Sequence, residues 1–236
     1  MKILILSFAV LFSAILGVGQ TSDGALRRVI DTDKAARDAS GRLPTLTADE
    51  HLSRAETYSA NRMFPQAREH WQKVFDNYPN DAGIPKALFG TARSFMWERK
   101  YADAVYWFDK LTKDYLSTKE GREGLSFKGA SYVRMGKNLE GARTYEQYVT
   151  MFPDGERIES AHLNIIDAYR EAGEYDEAET WVDRTAGRFA GAPAETNARH
   201  ARLRMEIFRQ AWPEAIAAAD SLLSGGSFRG SMTSSD

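Results

Sequence analysis

Side chains suited to metal binding or acid–base catalysis are present in this sequence, but they do not form a recognisable motif. The four histidines, His51, His70, His162 and His200, have neither H-x-x-x-H nor H-E-x-x-H spacing, which would place two zinc ligands on one helix face. We therefore expect each to be a helix-surface or partly packed residue and predict no metal site. The absence of cysteine excludes disulfides, thiol catalysis and thiolate metal sites.

Acidic residues occur in closely spaced groups that a pair of catalytic carboxyl groups could use. The groups are Asp176, Glu177 and Glu179; Glu120 and Glu123; and Glu156 and Glu159. They fall near predicted helix starts, where negative charge is favourable, so we interpret them as solvated. The sequence contains neither a G-x-S-x-G elbow nor a G-x-x-x-x-G-K-[ST] phosphate loop, the local signatures of common hydrolases and nucleotide-binding enzymes. We predict no catalytic residues, no cofactor and no enzymatic activity in this chain.

The first residues have the layout of a secretory signal. Lys2 precedes an uncharged run over residues 3–19 that ends in Gly17-Val18-Gly19, as in a charged, then apolar, then small-residue signal peptide. We predict that residues 1–19 are a cleaved signal peptide, that the protein is exported to the periplasm, and that no integral membrane span remains. An uncleaved membrane anchor is the alternative, because the run is just long enough to span a bilayer. The balance of 31 basic and 33 acidic residues does not indicate a nucleic-acid partner.

A short phrase recurs along the chain with a period of 37 residues. It reads K-Y-A-D-A-V-Y-W at 100–107 and E-Y-D-E-A-E-T-W at 174–181. Its central small residue recurs as Ala67, Ala104, Gly141, Ala178 and Ala215. Three positions earlier stand Phe64, Tyr101, Asn138, Tyr175 and Trp212. Apolar positions within each copy are three or four residues apart, the helical period.

Each copy therefore predicts helix A, a short turn, helix B and a longer turn. Gly136 and Gly173 mark the short turn in two copies, since glycine accepts the left-handed conformation that ends a helix. The small residue lies early on helix B, where a larger side chain would hold the two helices apart. A capping box at Thr47 and Glu50 predicts where the ordered array begins.

These boundaries divide the chain into four parts. Residues 20–46 are a linker or a loosely docked helix, residues 47–223 are a solenoid, and residues 224–236 are a flexible tail. The last helix carries apolar residues, among them Ile216 and Leu223, that need a covering element. Because the tail is polar and glycine-rich, our hypothesis is that the sequence is the N-terminal part of a longer protein; a partner that covers this edge is the alternative.

The repeats resemble those of the tetratricopeptide repeat (TPR) family. The resemblance depends on the small residue of helix B, the aromatic residues around it, and the aromatic-Pro pairs Tyr78-Pro79 and Phe152-Pro153. It covers about residues 47–223 and implies an all-α, right-handed superhelical solenoid of about five helix hairpins. The period of 37 departs from the usual 34.

Long repeats of this kind are similar to BamD-like and YbgF-like envelope proteins and to the helical N-terminal region of soluble lytic murein transglycosylases. BamD-like lipoproteins require a cysteine after the signal, so we expect this protein not to be a lipoprotein. The resemblance implies a non-catalytic scaffold that binds a peptide or protein of the cell envelope. The alternative is the helical region of a peptidoglycan-cleaving transglycosylase whose catalytic domain is missing from this sequence.

The resemblance also implies which side chains line a partner-binding groove. The projected contact residues are Arg93, Trp97, Arg134, Arg170, Arg204 and Phe208. The other positions projected to face the groove are Met96, Ala130, Val133, Asp167, Glu171 and Ile207. The arginines would form a ladder able to bind carboxylates through two parallel hydrogen bonds each, and the two aromatic residues would be apolar anchors. Alternatively, the arginines pair with neighbouring acids such as Asp167 and Glu171.

Overall fold

The computed structural model describes residues 13–224. Within this range every regular element is an α-helix and there is no strand, which confirms the prediction of an all-α repeat fold. The first twelve residues of the predicted signal peptide, and residues 225–236 of the predicted tail, lie outside the described residues. None of the helices in residues 13–224 combines the length and apolar character that crossing a membrane requires.

Eleven helices follow one another along the described chain. They are α1 (Ser13–Ala36), α2 (Ala48–Ala60), α3 (Phe64–Asn77), α4 (Ile84–Trp97), α5 (Tyr101–Asp114), α6 (Lys119–Arg134), α7 (Asn138–Met151), α8 (Ile158–Ala172), α9 (Tyr175–Arg188), α10 (Pro193–Phe208) and α11 (Trp212–Ser224).

The 37-residue period is reproduced by the helix starts. Each predicted helix B begins at the residue three positions before the small residue of its copy: α3, α5, α7, α9 and α11 all start there. The predicted capping box is also present, since Thr47 accepts a hydrogen bond from the backbone of Glu50 and the Glu50 carboxylate accepts one from the backbone of Thr47. These features confirm the alternation of helices A and B.

The short turn between helices A and B has the same backbone conformation in all five copies. A positive φ angle occurs at Arg62 (58°), Arg99 (61°), Gly136 (74°), Gly173 (81°) and Gln210 (59°), and these residues are 37 positions apart. Glycine was the signal for this turn in the sequence, but three copies place a residue with a side chain in the left-handed region. Those three turns carry a conformational cost that the glycine turns avoid.

The chain divides into two compact units, residues 1–94 and residues 95–236. The first unit contains α1, α2, α3 and most of α4. In it, α2 packs against α3 and also contacts α1. The predicted linker or loosely docked helix of residues 20–46 thus includes the later part of α1, and its Asp33 side chain is buried.

The second unit contains α5 to α11, in which each helix packs against the helix that follows it. Its core is a continuous cluster that includes Tyr145, Ile165, Ile166, Val182 and Met205. Residues of this cluster come from several consecutive helices, so no single hairpin buries its own apolar face, as expected for stacked repeats.

Glycine determines how closely α6 approaches α7 in the second unit. A Cβ atom at Gly141 would lie 2.6 Å from Cγ2 of Val133, and one at Gly129 would lie 3.1 Å from the ring of Tyr145. Contacts this short cannot be accommodated without moving a neighbour. The small residue of the repeated phrase therefore has the packing role that the sequence predicts, here on both helices of the hairpin.

Candidate functional site: the α6–α8 groove

An open groove in the second unit lies between α6 and α8, over the start of α7. Its volume is about 730 Å³, within the range of about 300–1,000 Å³ that is usual for ligand sites. The residues that line it are Ala130, Val133, Arg134, Gly136, Asn138, Tyr145, Asn164, Asp167, Ala168 and Glu171. We call this surface the α6–α8 groove.

The floor of the groove is made by Tyr145 and small side chains. Tyr145 is buried and packs against Gly129, while Ala130 and Ala168 line the groove from α6 and α8. Burial raises the pKa of Tyr145 to about 12, so its phenol remains neutral at physiological pH. The floor is thus uncharged.

Asn138 explains why the groove has open volume at its α7 end. In the other four copies the equivalent position is Phe64, Tyr101, Tyr175 and Trp212, all aromatic. Asn138 is the first residue of α7 and lines the groove together with Asn164 of α8. Since an amide side chain is smaller than an aromatic ring, the substitution leaves room and adds two donors and an acceptor.

The walls of the groove carry opposite charges. Arg134 is exposed on the α6 wall, and Asp167 and Glu171 are exposed on the α8 wall. Arg170 forms ion pairs with both acids of α8, since its Nη2 atom lies 2.7 Å from Glu171 Oε1 and 3.4 Å from Asp167 Oδ1. For Arg170 the structure therefore shows the alternative that the sequence left open, pairing with neighbouring acids.

The other projected contact residues lie elsewhere. Arg93 lies in the first unit, with its guanidinium carbon 5.4 Å from the ring centroid of Phe89. Trp97 belongs to the second unit and is 55% exposed. Arg204 is exposed on α10, and Phe208, the last residue of that helix, is 76% exposed. Of the six projected contact residues, Arg134 is the one that lines the α6–α8 groove.

Beside Arg134, the structure also places the projected positions Ala130, Val133, Asp167 and Glu171 in the lining. Asn164, Ala168 and Gly136 were not singled out as groove residues. The signal that could have found the site is Asn138, the one non-aromatic member of its repeat column. A small polar residue at a repeat position that is otherwise aromatic indicates that this repeat is less tightly filled there.

The groove has the composition of a binding surface. The part of the chain that the structure describes holds no group of three or more His, Asp or Glu side chains arranged for a metal ion.

Our expectation that the histidines lie at surface or partly packed positions is wrong for three of them, since His51, His70 and His162 are buried. None of these three lines the groove.

Comparison with known proteins identifies the repeat. Residues 128–193, which include α7, α8 and α9, match the family model described as "Tetratricopeptide repeat". The fold is of the tetratricopeptide-repeat type. No curated protein matches the sequence.

Solved TPR structures share this architecture at low sequence identity. MamA from Desulfovibrio magneticus RS-1 is 15% identical with a TM-score of 0.60, over 79% of this chain and 97% of that one. YrrB, described as "a TPR protein with an unusual peptide-binding site", is 14% identical with a TM-score of 0.57, over 76% and 86%. PilF of Pseudomonas aeruginosa is 17% identical with a TM-score of 0.53, over 88% and 87%. At these identities the likeness establishes the TPR fold alone.

Proposed function

We propose that this TPR protein is an exported, non-catalytic scaffold that binds an extended segment of a partner protein in the α6–α8 groove. The observation that carries the proposal is the groove itself, which combines an uncharged floor, two asparagines and charged walls. TPR solenoids present extended surfaces for binding, and a peptide-binding site is named for the fold neighbour YrrB.

The asparagines fit the backbone of an extended segment. The side-chain amides of Asn138 and Asn164 can each donate to a peptide carbonyl and accept from a peptide N–H. The alanines at 130 and 168 allow that backbone to lie close to the floor. These contacts are independent of the partner's side chains, so they provide affinity for an extended chain of any sequence.

The charged walls of the α6–α8 groove determine which peptide sequences bind best. Arg134 favours an acidic side chain on the α6 side, and Asp167 with Glu171 favours a basic side chain on the α8 side. Because these groups are exposed, their effect is on selection and on the association rate more than on affinity. We expect the preferred segment to carry one charge of each sign.

Binding is tested with peptides selected from a random library on the whole protein. Asn138→Tyr restores the aromatic residue of the repeat column and fills the groove, so we expect selected peptides to bind at least about 10-fold more weakly, a loss of about 1.4 kcal/mol. Gln147→Ala is the matched control, because Gln147 is exposed on α7 and does not line the groove. Equal weakening by both variants, or by neither, would refute the assignment of the groove.

Export is proposed from residues 1–19, with a periplasmic destination and a role in the cell envelope. It is tested by expressing the full sequence, and a variant that begins at residue 20, in a Gram-negative host. We expect the full sequence to yield a mature periplasmic protein whose N-terminus lies near Gln20, and the shortened variant to remain in the cytoplasm. Recovery of the intact first 19 residues on a cytoplasmic protein would contradict the proposal.

A further inference from the structure

A chain of buried hydrogen bonds joins α1 to the α2–α3 hairpin. The backbone N–H of Leu46 donates to Nε2 of His51 at 3.1 Å. The Nδ1 atoms of His51 and His70 lie 2.9 Å apart, and Nε2 of His70 lies 2.9 Å from Oδ2 of Asp33. The hydroxyl of Tyr58 donates to the same carboxylate oxygen at 2.7 Å. Both histidines and Asp33 are at most 2% exposed.

The direction of each hydrogen bond follows from its two ends. Since Nε2 of His51 accepts from Leu46, a neutral His51 carries its proton on Nδ1 and donates it to Nδ1 of His70. His70 then carries its own proton on Nε2 and donates it to Asp33. The other carboxylate oxygen of Asp33 pairs with the guanidinium of Arg54. Every polar atom of the chain is satisfied when both histidines are neutral.

This arrangement has no place for an additional proton. If His51 were protonated on Nε2, that N–H would face the N–H of Leu46. If His70 were protonated on Nδ1, that N–H would face Nδ1–H of His51. Protonated Asp33 would turn an O–H toward groups that donate to it. Each case replaces a hydrogen bond with a contact between two donors in a buried site, which is costly.

We propose that these five side chains, Asp33, Arg54, Tyr58, His51 and His70, form a latch that holds α1 on the α2–α3 hairpin at neutral pH and releases it on acidification. Among residues 24–36 of α1, whose burial the structure describes, Asp33 is the buried one, so its partners become accessible to water when α1 leaves. The bidentate pair of Arg37 and Glu69, with both N···O distances 2.7 Å, keeps the segment that follows α1 attached. When the latch opens, α1 therefore moves away from the hairpin while the chain stays attached at Arg37.

The charges that face the latch come from every element packed around it. Arg54 and Glu50 lie on α2, Lys73 and Glu69 on α3, and Arg37 follows α1. Burial, with the charges of His70, Lys73 and Arg54, lowers the pKa of His51 to about 4. Burial likewise lowers the pKa of His70, although Asp33 opposes it.

Asp33 loses its contribution only at a lower pH than the histidines do, since its pKa lies below the ordinary value of 3.8. Burial acts to raise its pKa, but hydrogen bonds from Tyr58, His70 and Arg54 hold that pKa below its ordinary value. A histidine whose pKa is lowered by folding stabilises the closed latch fully at pH values above its pKa in the unfolded chain. That stabilisation is lost as the pH falls toward its pKa in the folded state. The window for release is therefore between pH 6.5 and about pH 4, the two values for His51.

The test measures the position of α1 by electron paramagnetic resonance in the full chain. Because the sequence lacks cysteine, Arg27→Cys on α1 and Gln72→Cys on α3 introduce two spin labels at exposed positions. We expect one narrow distance at about pH 7.5 and a broad, longer distribution at about pH 4.5, with helical circular dichroism largely retained. An unchanged distance, or loss of total helix at the same midpoint as the change in distance, would overturn the proposal.

Two variants identify the groups responsible. Asp33→Asn places an amide donor among donors, so we expect the broad distribution already at neutral pH. His51→Gln keeps one acceptor and one donor without a titrating ring, so we expect the midpoint to fall by at least about half a pH unit. The matched control is His162→Gln, because His162 is also a buried histidine with a pKa of about 4 but lies in the second unit. A midpoint that moves in the control and not in His51→Gln would also overturn the proposal.

Discussion

Tyr169 and Glu206 occupy the same position in consecutive repeats, but Tyr169 donates a hydrogen bond to an acid whereas Glu206 is itself an acid buried beside a second one. The hydroxyl of Tyr169 donates to Oε1 of Glu146 at 2.8 Å. Glu206, 37 residues later, is 2% exposed and its carboxyl group lies within hydrogen-bonding reach of Glu179. A cavity of about 290 Å³ lies beside both acids. The last repeat thus buries an acid where three earlier copies, at Tyr58, Tyr132 and Tyr169, place tyrosine.

Glu206→Gln is expected to stabilise the protein at neutral pH. Burial and the neighbouring Glu179 raise the pKa of Glu206 above 4.5. A raised pKa means that the folded state binds the proton more tightly, so the contribution of Glu206 is fully present below pH 4.5 and is lost as pH rises through the folded value. Glutamine is neutral at every pH, so the variant does not lose stability through ionisation at this position. We expect a gain on the order of 1 kcal/mol at about pH 7.5, measured by thermal denaturation.

The control for this prediction is Glu177→Gln, which removes a carboxylate that is exposed on α9. We expect this variant to show no gain at neutral pH and at most a small loss, because Glu177 lies in the first turn of α9, where negative charge is favourable. A gain for Glu206→Gln that is as large at pH 4.5 as at neutral pH would show that charge is not the cause.

Gln210→Gly is expected to stabilise the last repeat. Gln210 has a φ angle of 59°, where a side chain costs about 1–2 kcal/mol. Its turn has the same hydrogen bonds as the turn at Gly173: in each, the left-handed residue donates to the third residue before it. Allowing for the greater freedom of glycine in the unfolded chain, about 0.5–1 kcal/mol, we expect a net gain of about 0.5–1 kcal/mol in chemical denaturation.

The reciprocal substitution tests the same physical cause. Gly173→Ala introduces a side chain at a φ angle of 81°, with no neighbouring atom within 4 Å of the new Cβ. Any loss of stability must therefore come from the backbone, and we expect about 1 kcal/mol. Equal stability of parent and variant would remove the explanation given for both turns.

The sequence predicts features that depend on a single helix and its ends, and it fails where side chains from separate helices meet. The start of each helix B, the capping box at Thr47 and the left-handed glycines are local features, and all are confirmed. The buried pair of His51 and His70 is not local, because each histidine alone is compatible with an exposed helix face. His51 contacts His70, and His70 contacts Asp33 from a third helix, but no spacing rule links the three.

The groove shows the same limit. Projection from the TPR pattern names positions on helix A, and it includes Arg134. It cannot show that Arg170 folds against the acids of its own helix, or that Asn138 of helix B opens the groove. Those features depend on side-chain conformations and on a departure from the repeat, which a general pattern does not contain.

Gly141→Leu is expected to separate α6 from α7. The Cβ atom alone would lie 2.6 Å from Cγ2 of Val133 and 3.3 Å from the carbonyl oxygen of Gly129, and a leucine adds three further carbons. Overpacking of this kind typically costs about 1–3 kcal/mol. Because the groove begins on these helices, we also expect weaker binding of peptides. Denaturation with Gly187→Leu as control is the measurement, since a Cβ atom at Gly187 would have no neighbouring atom within 4 Å.

Arg134→Glu is expected to reverse the charge preference of the α6 wall without a loss of stability. The side chain is exposed, so its contribution to folding is small, within about 0.5 kcal/mol. Peptides that present an acidic side chain to the α6 wall should bind more weakly, and the same peptides with a basic residue there should recover. Fluorescence anisotropy at two salt concentrations is the measurement, and an identical ranking of the two peptides by both proteins would exclude Arg134 from the site.

His162→Phe is expected to protect the second unit against acid. His162 is 4% exposed and lies with its ring edge-on to Trp181 and Phe189, at centroid distances of 5.2 and 5.1 Å. Its Nδ1 atom lies 3.1 Å from Oγ1 of Thr185, whereas its buried Nε2 atom has no hydrogen-bond partner. Burial lowers the pKa of His162 from 6.5 to about 4, so the folded state resists the proton that the unfolded state accepts.

The resulting loss of stability develops as pH falls from 6.5 toward 4 and amounts to about 2 kcal/mol at about pH 5. Phenylalanine cannot titrate and keeps the aromatic contacts, while the Thr185 hydroxyl still donates to the carbonyl of Trp181 at 2.6 Å. We therefore expect similar stability at about pH 7.5 and a clear advantage for the variant at about pH 5. If the two unfolding curves differ by the same amount at both pH values, packing rather than protonation is the cause.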